Sequence, residues 1–242
     1  VVGTRQPTWI GAPARPGGPL DDDPVINLAL LAVEEALRDA GEPQRQQEPD
    51  RIGCVFGTSK GSLFAASACH PDGPLEPWER MLAGPALASM AVAARYKLYG
   101  PRVSPVAACA TGIAAVLQGA ALVARDDCEV AVVGSADDSL HPLVLASFQR
   151  LGVLASGETP SQASRPFDRR RNGFVIGAGA GALILERRSR AQSRGVRWYA
   201  QLGPGRMLGD PTGVTSLDAS GETLAALIHR CIPSGAVPDV IN

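Results

Sequence analysis

The stretch VSPVAACATG, Val103 to Gly112, continuing as IAAVLQGAALVA to Ala124, decides how the chain is read. Val103 to Ala107 is a short apolar run of strand character. From Ala110 to Ala124 the residues are Ala, Ile, Leu and Val with almost nothing polar, so a helix here is expected to be buried on every side. Cys109 stands between the two. Its neighbours Ala107, Ala108, Ala110 and Gly112 are small, which lets a strand turn sharply into a helix and leave a sulfur open to a narrow channel. A helix N-terminus favours a thiolate through its unpaired N–H groups and the positive end of its dipole. Spacing alone also allows a second reading, a buried and inert thiol, because free cysteine is among the most buried residue types.

Outward from this turn, elements of both kinds alternate. Before it, Asp23 and Pro24 make an N-cap and a first helical residue for an amphipathic helix with Ile26, Leu30, Val33 and Leu37 on its stripe, closed by Gly41. Arg51 to Thr58, RIGCVFGT, reads as a buried strand ending at a glycine turn, and a helix is expected from about Ala86 to Tyr99. After it, Glu129 to Gly134 is a third strand, Phe174 to Glu186 holds a fourth around Ala182 to Leu185, and Trp198 to Gly203 a fifth. Leu224, Leu227, Ile228 and Cys231 mark a last amphipathic helix. The mixture predicts a layered α/β architecture, with residues 1–23 an irregular Pro/Gly-rich lead-in and residues 24–242 one domain.

The 242 residues are 45% hydrophobic and 19% charged, enough for a substantial core. A net charge of -1 gives no global reason to expect nucleic acid or an anionic membrane as partner. No apolar stretch reaches the roughly 20 residues of a membrane-spanning helix, and the first residues lack a signal-peptide pattern, so the protein reads as cytoplasmic. Cys54, Cys69, Cys109, Cys128 and Cys231 are scattered without the spacing of a zinc site or a disulfide framework. Reduced thiols and no bound metal are the simpler expectation. The chain opens at Val1 without an initiator methionine and stops at Val240-Ile241-Asn242, a run like the start of a strand, so it reads as a fragment.

Four segments carry a resemblance. AACATG at Ala107 to Gly112 resembles the active-site cysteine motif of β-ketoacyl synthases, the condensing enzymes of fatty-acid and polyketide assembly. SRPFDRRRNGFVIGAGAGALILE, Ser164 to Glu186, is similar to that family's longest signature; VVGSADDSLHPLVLASF, Val132 to Phe148, to the stretch after the nucleophile helix; and GTSKGS, Gly57 to Ser62, to its glycine turn. The resemblance runs from about Pro24 to Asn242 and implies the N-terminal half of a thiolase-like fold, layered αβαβα and normally dimeric. It implies no bound cofactor, and an acyl group passed to Cys109 from the phosphopantetheine of an acyl carrier protein. Decarboxylation of a malonyl thioester and Claisen condensation would follow, assisted by two histidines and a lysine of the second half. Phe148, Lys60, Thr215 and Ser216 are the expected substrate-binding residues by the same resemblance.

The sequence also departs from that family. His70, His141 and His229 do not fall in its histidine motifs, so this chain alone is expected not to complete condensation. Lys60 stands where the family has an apolar side chain lining the acyl pocket. Buried and unpaired it would cost several kcal/mol, so it is either solvated or the mark of a short or polar pocket. Ala178 replaces an acid. Gly177, Gly179 and Gly181 lack nucleotide-binding spacing. Arg165, Arg169, Arg170 and Arg171 could meet an acidic carrier, although Asp168 lies among them. Two rivals remain: a non-catalytic, chain-length-determining partner in a heterodimer, which usually lacks the cysteine, and a degradative thiolase, which lacks the long signature.

Overall fold

Ile52 to Gly57 are buried on both faces, as a near-continuous apolar run requires of a central parallel strand. In the computed structural model, which describes residues 23–43, 48–63, 84–157, 159, 162–203, 205–213, 216–232 and 235–240, this strand is β1. It pairs in parallel with β2 (Arg102–Val103) on one side and β3 (Val130–Asp138) on the other. Strand β4 (Ala178–Glu186) runs antiparallel to β3, completing the order β2-β1-β3-β4.

Side chains of this sheet alternate between two cores, following the two-residue period of a strand. Ile52, Cys54, Phe56, Val130, Val132 and Ala136 face helices α1 (Pro24–Asp39) and α2 (Leu87–Tyr96), with Val33 and Val92 fully enclosed between them. Val55, Ala131 and Val133 face the opposite way, onto Ala115, Leu122 and Val123 of α3 (Thr111–Ala124). Helix, sheet and helix thus form three layers. Each fully buried aliphatic side chain of these cores contributes about 1.5–3 kcal/mol.

Asp23 caps α1 as its sequence position implies, accepting from Val25 N at 3.0 Å and Ile26 N at 3.2 Å. The buried face is wider than the expected stripe: Val25, Asn27, Leu28 and Ala29 are enclosed, while Ile26 and Leu30 are half-buried. The cause is that α1 lies across both β3 and β4 and also against α2. Gly41 (φ 70°) ends it in the left-handed conformation.

Several expectations need correction. The strand foreseen over Val103 to Ala107 is paired only at Arg102 and Val103. Helix α3 is not buried all round, because the sheet covers one side: Ile113 is 63% exposed. Trp198 to Gly203 forms no strand; these residues are exposed. Helices α4 (Pro142–Leu151) and α5 (Arg188–Ser193) were not foreseen, whereas α6 (Glu222–Cys231) was. The chain divides into two compact units, Val1–Glu186, with the sheet, and Arg187–Asn242, with α5 and α6. No helix among the described residues is long and apolar enough to cross a membrane.

Candidate active site

Cys109 is exposed, at the centre of a single 3-10 turn, Ala108–Ala110, leading into α3. The turn needs unusual backbone. Ala108 takes φ 46°, in the left-handed region that costs a residue with a Cβ roughly 1–2 kcal/mol. Thr111 holds it there: its buried hydroxyl donates to Ala108 O at 2.7 Å and accepts from Ala107 N at 3.0 Å, bracketing the cysteine. Ala110, the N-cap, offers no side-chain acceptor, so no side chain caps the first N–H groups of α3. Those N–H groups open the helix two residues after Cys109.

Glycines let the sheet reach this turn. A Cβ at Gly57, the end of β1, would lie 2.5 Å from Thr111 Cγ2 and 2.4 Å from Pro105 O. Along α3, a Cβ at Gly119 would lie 2.2 Å from Val133 Cγ1, and one at Gly112 would lie 3.0 Å from Ser135 Oγ. Val133 and Ser135 therefore mark successive positions on the α3 side of β3. The next on that side is Asp137, about 7 Å further along the strand.

Asp137 anchors the glycine turn. Its carboxylate accepts from Ser59 N at 3.1 and 3.2 Å, from Ser59 Oγ at 2.9 Å, and pairs with Lys60 Nζ at 3.4 Å; Lys60 also donates to Ser59 Oγ. Lys60 is thus neither buried alone nor freely solvated. Its side chain is 29% exposed and that of Asp137 31%. Thr58 shapes the loop, accepting from Lys60 N at 3.2 Å and from Gly61 N, with Gly61 at φ 77°. Ser62 donates to Asp23, fastening the far end to α1.

Phe148, half-buried on α4, meets Phe174 edge to face with ring centroids 5.4 Å apart. They adjoin a small core of Val144, Leu154 and Ile176, against which Leu63 from the glycine turn also packs. Gly173 is obligatory here: at φ 148°, a Cβ would lie 2.5 Å from Ala155 N. Among the four arginines, Arg170 is drawn onto Asp168, whose carboxylate accepts from Arg170 N at 2.7 Å, a bond that lowers the carboxyl below its usual range. Arg171 donates to Asp168 O at 3.0 Å.

Ser216 belongs to the second unit, in an exposed loop followed by Asp218, whose carboxyl is held down to about 2 by bonds from Ser220 and Thr223. Thr215 lies outside the described residues, as do Cys69 and His70. His141 is an N-cap, Nδ1 accepting from Leu143 N at 3.2 Å, and His229 bonds Ala225 O of its own helix. Cys54 and Cys128 are buried, and burial pushes both thiols up, Cys54 to about 12. No three metal-ligating side chains converge among the described residues. Sequence reasoning missed Thr111 and Asp137. A β-branched hydroxyl at the first position of an uncapped helix, and an acid ending a buried apolar strand, were the signals available.

Residues 20–191 match the family model described as β-ketoacyl synthase, N-terminal domain. The mitochondrial 3-oxoacyl-[acyl-carrier-protein] synthase of Arabidopsis thaliana is 33% identical, over 90% of this chain and 49% of its own length. Synthase 2 of Rhizobium meliloti is 34% identical over 87% and 51%, and a putative polyketide β-ketoacyl synthase of Streptomyces halstedii 31% over 88% and 55%. Among solved structures, a type II polyketide ketosynthase in complex with its acyl-carrier protein and bound to a hexaketide superposes with a TM-score of 0.77 at 27% identity, over 86% of this chain and 54% of that one. A β-ketoacyl synthase from Burkholderia phymatum gives 0.66 at 27% identity, over 76% and 49%. The chain spans about half the length of the curated relatives it matches.

Proposed function

The chain belongs to the β-ketoacyl synthase family and has its α/β, thiolase-like fold, and on that premise we propose that it is the acyl-accepting part of a 3-oxoacyl-acyl-carrier-protein synthase, with Cys109 as nucleophile. The observation that carries the reading is the exposed thiol on a left-handed-to-helical turn, bracketed by Thr111 at the uncapped start of α3. The sulfur attacks the carbonyl carbon of an acyl thioester, the bond to the carrier's pantetheine sulfur breaks, and that sulfur leaves as a thiol with the proton. The N–H groups opening α3 are suited to the oxygen charge that develops during attack.

In the complete enzyme a malonyl thioester then loses carbon dioxide, and its carbanion attacks the acyl carbon, releasing Cys109. Fatty-acid or polyketide chains are the products. Lys60, Phe148, Thr215 and Ser216 are the substrate-binding residues of this proposal. An acyl carrier protein is the partner, and a homodimer or ketosynthase-like heterodimer would cover the apolar Ile113 side of α3. A reducing cytoplasm suits a thiol that must stay unoxidised.

The test uses the natural full-length chain with acyl- and malonyl-carrier proteins, following ketoacyl product by chromatography. Cys109→Ala is expected to lower product formation by about three orders of magnitude or more. Near-normal condensation by that variant would overturn the assignment. A folded chain that never takes an acyl group would instead point to a non-catalytic partner subunit.

A further inference from the structure

We propose that Asp137 is a positioning residue for Cys109: its carboxylate clamps the glycine turn that walls the nucleophile turn, and so fixes the sulfur for attack. The proposal rests on Cys109 being the acyl acceptor and adds how its geometry is kept. The backbone ladder between β1 and β3 ends at the pair Gly57 and Ser135. Strand β3 runs on to Asp138, whereas the other chain leaves the sheet at Gly57. Two residues past that last pair on each chain, the Asp137 carboxylate takes over from the ladder. It accepts from Ser59 N at 3.1 and 3.2 Å and from Ser59 Oγ at 2.9 Å.

Gly57 is the wall itself. A Cβ there would lie 2.5 Å from Thr111 Cγ2 and 2.4 Å from Pro105 O, so its backbone sits directly against the two segments that flank Cys109. Thr111 passes this contact on, since its hydroxyl bonds Ala107 N and Ala108 O on the other side of the cysteine. Within the turn, Thr58 accepts from Lys60 N and Gly61 N, bonds that close the loop on itself. Its ties to the rest of the fold run through Ser59 and Lys60 to Asp137, and through Ser62 to Asp23. The Lys60 ion pair is part-exposed and by itself a weak tether. The bonds from Ser59 to a charged carboxylate are the strong ones. Loss of the carboxylate would free a loop whose two glycines, Gly57 and Gly61, resist bending little, and the wall behind Thr111 would move with it.

The experiment measures single-turnover acylation of Cys109 from a hexanoyl pantetheine thioester, in the natural full-length chain and by intact mass, over a range of donor concentrations. Asp137→Ala is expected to lower the limiting rate about tenfold or more with little change in the half-saturating concentration, as a misplaced nucleophile does and weaker binding does not. Asp137→Asn, which keeps a carbonyl acceptor for Ser59, should recover most of that rate, and Ser59→Ala should lose a smaller part of it. In a Thr111→Val background the Asp137→Ala loss should shrink, because the clamp acts through Thr111. An unchanged limiting rate in folded Asp137→Ala, a loss as deep in Asp137→Asn, or a loss confined to half-saturation would overturn the proposal while leaving Cys109 as acceptor. So would an equal loss with and without Thr111→Val. Should Asp137→Ala fail to fold, Ser59→Ala decides, and an unchanged rate there overturns the proposal. Absence of acylation in the wild type would remove both the acyl-transfer reading and this one.

Discussion

Thr111 makes two hydrogen bonds that hold the backbone on either side of Cys109, and Ala108 stays left-handed within them. Thr111→Val keeps the shape but takes the acceptor from Ala107 N–H in a part-buried place, while Ala108 C=O keeps the bond from Thr111 N. It should cost about 1–3 kcal/mol in denaturant unfolding, and it should slow alkylation of Cys109 by iodoacetamide, since the turn no longer fixes the sulfur. Unchanged alkylation would mean that the turn is held by the sheet contacts alone. In the wild type Cys109 should be labelled ahead of Cys54 and Cys128, both of which are buried.

Cys54 gives a pH dependence with a definite sign. Its thiol is raised from the ordinary 9.0 to about 12, by burial first, with Arg102 acting in the opposite direction. An unfolded chain loses this proton near pH 9 while the folded one keeps it, so between those values the folded state binds more protons and stability falls as pH rises. Below pH 9 the contribution is complete. Burial shifts Cys128 the same way. Urea midpoints taken from about pH 8 to about pH 10.5 should therefore decline, and Cys54→Ala, though less stable at neutral pH because of the cavity, should decline less steeply. An equal slope would show that other groups set the alkaline limit.

At the scale of elements, the approach of α3 to β3 depends on the missing side chain at Gly119. Gly119→Ala gains about 1 kcal/mol in helix propensity, yet its Cβ would lie 2.2 Å from Val133 Cγ1. Net destabilisation of about 1–2 kcal/mol is expected in chemical denaturation, and the double variant with Val133→Ala should recover most of it. Additive losses would mean that the two side chains do not meet.

The elements legible in the sequence are those whose signal is local. Asp23-Pro24 announces α1, the unbroken run Ile52 to Gly57 announces a central strand, and small residues around Cys109 announce the turn. What depends on distant partners was not legible. Trp198, Tyr199 and Leu202 have strand composition, but no strand occurs among the described residues of their own unit to pair with them. Ile113 has core composition, but the sheet reaches only the opposite side of its helix. Helix α4 was within reach, since Pro142 follows the His141 cap and Val144, Leu145 and Phe148 keep helical spacing. Lys60 could not be placed from its type, because its charge is balanced by Asp137, 77 residues away.

Over the whole molecule, three strands end near one place. The C-terminal ends of β1 and β3 and the segment after β2 gather the glycine turn, Asp137 and Cys109 on the α3 side of the sheet, the usual edge for chemistry in a parallel α/β sheet. The second unit carries Ser216 and α6. The most direct measurement of the central claim is peptide mapping after the natural full-length chain is mixed with an acyl-carrier protein thioester. One acyl group is expected, in thioester linkage on the tryptic peptide from Val103 to Arg125, released by hydroxylamine and absent in Cys109→Ala. An acyl group on any other peptide, or none on a folded chain, would contradict it.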